Sequence, residues 1–231
     1  MNRVRVLAVS LFVILLTGCT AAVPAAPRDQ DPAAQSSPAS AAGTVSCDYQ
    51  PEGGAARTVD QPSASDVPAS GTVDYLLTLN DTPLTLTLDR AKAPCTVHSF
   101  ESLAAQGYFD GTVCHRLTTA GIFVLQCGDP TATGTGGPGY TIPDELDGIT
   151  GYPAGTLAMA RTQAPHSGGS QFFIVYADTP LPADYTVFGT VDPAGVAVVA
   201  KLAAGGTDGA YGSPADGVPN LPAAVTSVKP A

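Results

Sequence analysis

Residues 72–90 read TVDYLLTLNDTPLTLTLDR, and this stretch decides the fold class. Apolar and polar side chains alternate along Thr72–Asn80 and again along Thr82–Arg90. A period of two puts the apolar set on one face of an extended strand, where a helix would need spacings of three and four. Asn80-Asp81 between the two runs is the residue chemistry of a tight β-hairpin turn. Working outward, Thr96–Ala105 switches to helical spacing. Val97, Phe100, Leu103 and Ala104 share a face there, and Gly107 is placed to stop the helix. From Val113 to Val191 short strands recur between Gly, Pro and Asp turns, and a second short helix is expected near Pro193–Ala204. Many strands, two short helices and no α/β alternation predict a mainly β barrel or sandwich capped by helices. No internal repeat is visible.

The chain has 231 residues, room for one ordinary domain plus extensions or for two small domains. Its 44% hydrophobic content supports a core and excludes wholesale disorder. Gly (25) and Pro (21) make up one residue in five, which favours turns and linkers over a helix bundle. A net charge of −10 argues against a nucleic-acid partner, because phosphate needs a basic face.

The N-terminus carries its own signal. Arg3 and Arg5 precede the uncharged apolar run Val6–Leu16, which is too short to span a bilayer. It ends in Leu16-Thr17-Gly18-Cys19, which resembles a bacterial lipobox. That resemblance implies a lipoprotein signal peptide over 1–18 and lipidation of Cys19. The mature protein is then tethered to the cell membrane on its extracytoplasmic face. Two or three acyl chains anchor stably where one would be marginal. Cleavage removes two arginines and no acid, taking the balance from −10 to −12, so lipid rather than charge must do the anchoring. Residues 19–46 are Ala, Pro and Ser with few large apolar groups and read as a disordered tether. Residues 47–70 read as an irregular lead-in that Cys47 and Tyr49 could pin to the body. Residues 71–231 form the main domain.

Several familiar chemistries drop out. Gly134–Gly139 fits a dinucleotide pattern, but Pro138 removes an N–H where a pyrophosphate needs donors, and no helix follows. His98, His115 and His166 are too scattered for zinc, and no metal site is expected. His98, on the first helix, reads as a partly exposed surface residue. Gly168-Gly169-Ser170-Gln171 lacks the closing glycine of a nucleophile elbow. What remains is Arg116 in a strand, Gln126 ten residues on, and nearby aromatics. By spacing alone, a lone arginine there is more often an ion-pair partner than a catalyst.

Five ordered motifs change that balance. Tyr108-Phe109-Asp110-Gly111-Thr112-Val113-Cys114-His115-Arg116 resembles the cyclophilin pattern F-D-G-x-x-F-H-R. Gln126-Cys127-Gly128-Asp129 resembles its Q-G-G-D, and Gly134–Tyr140 its glycine-rich stretch. Leu157–Ala160 with Gly169–Ile174 resembles L-A-M-A…G-S-Q-F-F-I, and Val187–Val191 the closing V-F-G-x-V. The resemblance covers roughly residues 71–204. It implies an eight-stranded antiparallel β-barrel capped by two short helices, and peptidyl-prolyl cis-trans isomerase activity without cofactor or metal. Residue by residue, it implies catalytic roles for Arg116 and Gln126. It implies substrate-binding roles for Phe123, Ala160, Arg161, Gln171, Phe173, Leu181 and Tyr185. Met159 matches a position better read as core. The implied partners are proline-containing exported polypeptides, with the chain monomeric. A non-catalytic peptide-binding or scaffolding module on the same fold is the competing expectation.

Three departures from the pattern stand out. Leu117–Ile122 makes the turn before Phe123 two residues longer than the common form. Tyr185 stands where the family has a pocket histidine. The chain has no tryptophan, so the pocket edge associated with tight cyclosporin binding is missing. Weak cyclosporin inhibition is therefore expected; a tight complex in a calorimetric titration would refute it.

The odd count of five cysteines divides as Cys19 plus Cys47, Cys95, Cys114 and Cys127. Four cysteines in an exported domain permit two disulfides in three pairings. If Arg116 and Gln126 lie on paired strands, Cys114 and Cys127 flank that hairpin and come near each other.

Overall fold

Asn80 and Asp81 both adopt positive φ, 46° and 64°, which is the turn the hairpin requires. The structure, a computed structural model, describes residues 43–231. The expected signal peptide, the Cys19 lipidation site and the tether up to residue 42 lie outside the described residues.

In chain order the elements are β1 (Thr44–Val45), β2 (Gln50–Pro51), β3 (Val67–Pro68), β4 (Thr72–Leu79), β5 (Thr82–Asp89) and α1 (Pro94–Ala105). Then come β6 (Thr112–Val113), β7 (Arg116–Thr118), β8 (Val124–Cys127), β9 (Tyr140–Thr141), β10 (Thr156–Met159) and β11 (Phe172–Val175). The chain closes with β12 (Val187–Val191), α2 (Pro193–Ala203), β13 (Asp216–Gly217) and β14 (Ala224–Pro230). Ten strands form one antiparallel sheet in the order β13-β7-β8-β11-β10-β12-β5-β4-β14-β6. Only Cys114 and His115 separate β6, at one end of that order, from β7, next to the other end. The sheet must therefore curl until its ends nearly meet. The family resemblance implies eight strands; here the two-residue ladders β6 and β13 extend the sheet at either end. Ladders that short leave no alternation to read in a sequence.

Helix α1 begins at Pro94, whose missing N–H costs nothing at the first helical position. Its N-cap, Ala93, has no side chain to cap with. Glu145 supplies the cap from fifty residues away: its carboxylate accepts from the N–H groups of Cys95 and Thr96 at 2.9 Å each. At the other end Gly107 has φ +68°, Tyr108 N donates to Leu103 O, and Gly107 N to Ala104 O. That double bond closes the helix at the glycine expected to stop it. Val97, Phe100, Leu103 and Ala104 are all buried on one face. Phe100 is the hub, with ring centroids of Phe109, Phe172, Phe188 and Tyr75 at 5.0, 5.6, 5.5 and 6.0 Å. In α2 the Asp192 side chain caps the N-terminus by accepting from Gly195 N.

The lead-in is pinned more firmly than its composition suggests. Order reaches back into the expected tether, because Thr44–Val45 pairs with Val67–Pro68. A Cys47–Cys95 disulfide joins the lead-in to α1, and the Tyr49 hydroxyl donates to Cys95 O at 2.9 Å. Arg57 Nη1 lies 2.8 Å from the carbonyl oxygens of Gly107, Tyr108 and Asp110, just past the end of α1. Of the three possible pairings the structure holds Cys47–Cys95 and Cys114–Cys127.

Candidate active site

The alternation of strands β7, β8, β11 and β10 sorts their side chains onto two faces. Leu117, Leu125, Phe172, Ile174, Leu157 and Met159 point into the main core. Met159 is thus a core residue, as its position implied. The residues between them point the other way. Arg116 pairs with Gln126, Gln126 with Phe173, and Phe173 with Ala158, in one row across four neighbouring strands. Cross-strand partners share a face, so this row forms a single outward surface.

That surface has a polar end and an apolar end. Arg116 Nη1 reaches Gln126 Oε1 at 3.5 Å, and Gln126 Nε2 donates to Gln171 Oε1 at 2.8 Å. Gln171 Nε2 in turn donates to Gly136 O at 3.0 Å. The two amides are thereby fixed in one orientation, with the Gln126 oxygen facing the guanidinium. At the apolar end Val124, Tyr152, Ala158, Phe173 and Val175 form a second hydrophobic cluster, separate from the main core. Ile122, Ala160, Leu181 and Tyr185 pack against it half-buried. Tyr185 meets Phe173 edge-on at 5.5 Å. A half-covered apolar cluster on the outer face of a sheet is a ready seat for a small apolar ring.

The expected site residues are therefore largely brought together. Gln171, Phe173, Leu181 and Tyr185 converge on this surface with Arg116 and Gln126. Ala160 lies beside them, its N–H taken by Gln171 O at 2.9 Å. Arg161 holds its guanidinium 5.7 Å from the Tyr185 ring and donates to Asp184 O. Phe123 stands apart: its ring packs edge-on against Tyr176 at 6.0 Å, while Ile122 and Val124 on either side contact the apolar cluster.

The surroundings hold the pieces in place. Cys114–Cys127 crosslinks the chain two residues before Arg116 to the residue after Gln126. Both cysteines stand where the family motifs carry other residues, Phe and Gly. Asp129 is fully buried and accepts from Thr131 N and Oγ1 and from the N–H groups of Gly134 and Gly136. Burial pushes its carboxyl up, but these hydrogen bonds outweigh burial and hold it below the ordinary value. A Cβ at position 136 would sit 2.0 Å from Asp129 Oδ1, so any larger residue there would have to displace the carboxylate. Burial also pushes the His115 imidazole down. Beside Gln126 and Gln171 opens a cleft of about 510 Å³, which Glu52 from the lead-in, Gly136, Ala160 and Arg161 also line.

Two contributors left no trace in the sequence. Tyr152 buttresses Tyr185, its hydroxyl accepting from Tyr185 N at 2.9 Å and donating to Tyr185 O at 3.0 Å. Asp216 binds Arg116 through both carboxylate oxygens at 2.8 Å. It lies a hundred residues from its partner within a Gly/Pro-rich run, so no local pattern could have flagged it.

Residues 75–229 match the family model described as cyclophilin type peptidyl-prolyl cis-trans isomerase/CLD. The chain belongs to the cyclophilin family. Among curated relatives, this cyclophilin is 46% identical over 177 residues to the probable peptidyl-prolyl cis-trans isomerase B of Mycobacterium leprae. That match covers 70% of this chain and 60% of the relative. It is 50% identical over 101 residues to peptidyl-prolyl cis-trans isomerase B of Bacillus subtilis, covering 43% of this chain and 68% of the relative. The chain spans about three fifths of the length of the mycobacterial relatives it matches. A solved cyclophilin-type isomerase from Cryptosporidium parvum superposes with a TM-score of 0.60 at 28% identity. That superposition covers 70% of this cyclophilin and 98% of the solved chain.

Proposed function

We propose that this cyclophilin isomerises X–Pro peptide bonds in exported polypeptides, with Arg116 stabilising the twisted amide. The observation that carries the reading is the row Arg116–Gln126–Phe173. It sets a guanidinium beside an open apolar seat on one face of the sheet. Rotation about X–Pro must break amide resonance, a barrier of roughly 20 kcal/mol. No covalent bond is made, so the site needs no nucleophile, metal or cofactor. It must only favour the twisted amide over both planar forms. In the twisted state the prolyl nitrogen turns pyramidal and accepts a hydrogen bond. Arg116 Nη1 donates that bond, and Gln126 steers the guanidinium edge towards it. The proline ring rests on Phe173, Leu181 and Tyr185. Ala160, Arg161 and Gln171 hold the peptide on either side, while Phe123, expected at the seat, is turned to Tyr176 and takes no part in it.

The test is an exchange measurement by NMR on an Ala-Pro-containing peptide with the full chain. Acceleration of exchange well above the uncatalysed rate, which takes tens of seconds or more, is the expected result. A chain that binds the peptide without accelerating exchange would be a binding module instead.

The setting is the outer face of the cell membrane, where the chain works as a monomer held by lipid on Cys19. The lipobox-like Leu16–Cys19 supports this. Metabolic labelling with palmitate in the producing bacterium should mark the wild type and leave Cys19→Ser unlabelled and released from membranes. Equal labelling of both would move the anchor elsewhere.

A further inference from the structure

The guanidinium of Arg116 has two edges, and the structure engages them differently. Nε and Nη2 form a bidentate pair with Asp216, both bonds 2.8 Å. Nη1 faces Gln126 at the longer distance of 3.5 Å. The Arg116 side chain is 34% exposed and that of Asp216 22%, so the pair sits at the margin of the open surface. Asp216 raises the guanidinium's already high pKa, so its positive charge is secure.

Asp216 is itself tightly placed. Strand β13 pairs with β7, setting Asp216 opposite Thr118 and Gly217 opposite Leu117. Asp216 N donates to Ser213 O at 2.9 Å, and Thr119 N to Ala215 O at 2.8 Å. Asp208 Oδ1 ties the loop base by accepting from Ala210 N and Val218 N at 3.0 and 2.8 Å. Position 217 admits only glycine, since a Cβ would meet that oxygen at 2.3 Å. The loop also lays Tyr211, 43% exposed, with its ring 6.0 Å from the Arg116 guanidinium carbon.

We infer that Asp216 is a positioning residue for isomerisation: it clamps the far edge of Arg116 so that the Nη1 side is presented to the prolyl amide. The inference rests on the proposed role of Arg116. An arginine side chain turns about four bonds, and a planar fork held at two points loses that freedom before substrate arrives. Donors fixed in advance are worth more in a transition state than donors that must first be ordered. The clamp thereby restricts the pose of a partly exposed arginine beside solvent.

The experiment is a double-mutant cycle on the full chain with Arg116→Ala, Asp216→Ala and both together, read by NMR exchange and thermal melting. Asp216→Ala should lower kcat/KM by about tenfold, chiefly through kcat. KM should stay within about twofold, because the seat for proline is untouched. In the Arg116→Ala background the second substitution should have no further effect. Asp216→Glu should recover part of the loss, because it restores the carboxylate. Unchanged or raised activity in Asp216→Ala would overturn the inference, and a rise would show that the pair restrains the enzyme. Equal losses from Asp216→Ala with and without Arg116 would likewise overturn it, since a general structural defect acts regardless of the arginine. If the wild type does not accelerate exchange, or Arg116→Ala equals it, the functional proposal fails first. If Arg116→Ala is impaired and Asp216→Ala is not, only the clamp fails.

Discussion

Arg116→Ala is expected to lower kcat/KM for an X–Pro peptide by roughly 10²–10³-fold, the usual cost of losing one preorganised transition-state donor. The loss should fall on kcat, with KM for the peptide little changed. The reason is where the hydrogen bond forms: the planar prolyl nitrogen accepts poorly, so the arginine contributes almost nothing until the amide twists. In the proposed reading binding falls to Phe173, Leu181 and Tyr185, whose cluster the substitution leaves in place. Arg116→Lys should be nearly as poor as alanine. A lysine keeps the charge but has no fork to grip both Asp216 oxygens while presenting a third donor. The fold should survive both changes, since the side chain lies on the outward face of β7 and fills no core volume. A fall confined to KM, with kcat intact, would mean that Arg116 only binds.

Phe100→Ala is expected to destabilise the domain by about 4 kcal/mol, within the range for deleting a buried phenylalanine. For a domain of this size that lowers the melting temperature by roughly 8–16 °C. Phe100 is 1% exposed, and four aromatic rings lie within 6.0 Å of its ring centre. Those rings come from β4, the segment after α1, β11 and β12, so none can move in to fill the hole without shifting a sheet strand. Urea unfolding should show a lower midpoint at an unchanged slope, because the surface exposed on unfolding is the same. Site geometry should hold below the melting point, since Phe172 faces the core and Phe173 the seat. A cost below about 1 kcal/mol would show that the core closes over the gap.

The hairpin at Thr72–Asp89 and the closure of α1 at Gly107 were legible because each depends on a few adjacent residues. Alternation selects a strand, positive φ selects Asn and Asp at the turn, and a left-handed stop selects glycine. Arg116 and Gln126 were legible only through their surrounding motifs, since a lone arginine in a strand usually signals an ion pair. It does make one here, with Asp216. The two readings are compatible because one edge of a guanidinium can be paired with a carboxylate while the other faces Gln126 and the open surface.

By itself, then, the sequence determined the longer local conformations: the hairpin of β4 and β5 with its alternating faces, and where α1 and α2 stand. It also carried the motifs on which the resemblance to cyclophilins rests. Only the tertiary structure decided which distant groups complete them. Glu145 caps a helix fifty residues before it, Tyr152 braces Tyr185, and Asp216 grips an arginine a hundred residues earlier. It also chose Cys47–Cys95 and Cys114–Cys127 among the pairings and turned Phe123 towards Tyr176. Local conformation follows from sterics within a few residues, whereas these contacts exist only once the curled sheet has brought its strands and loops together.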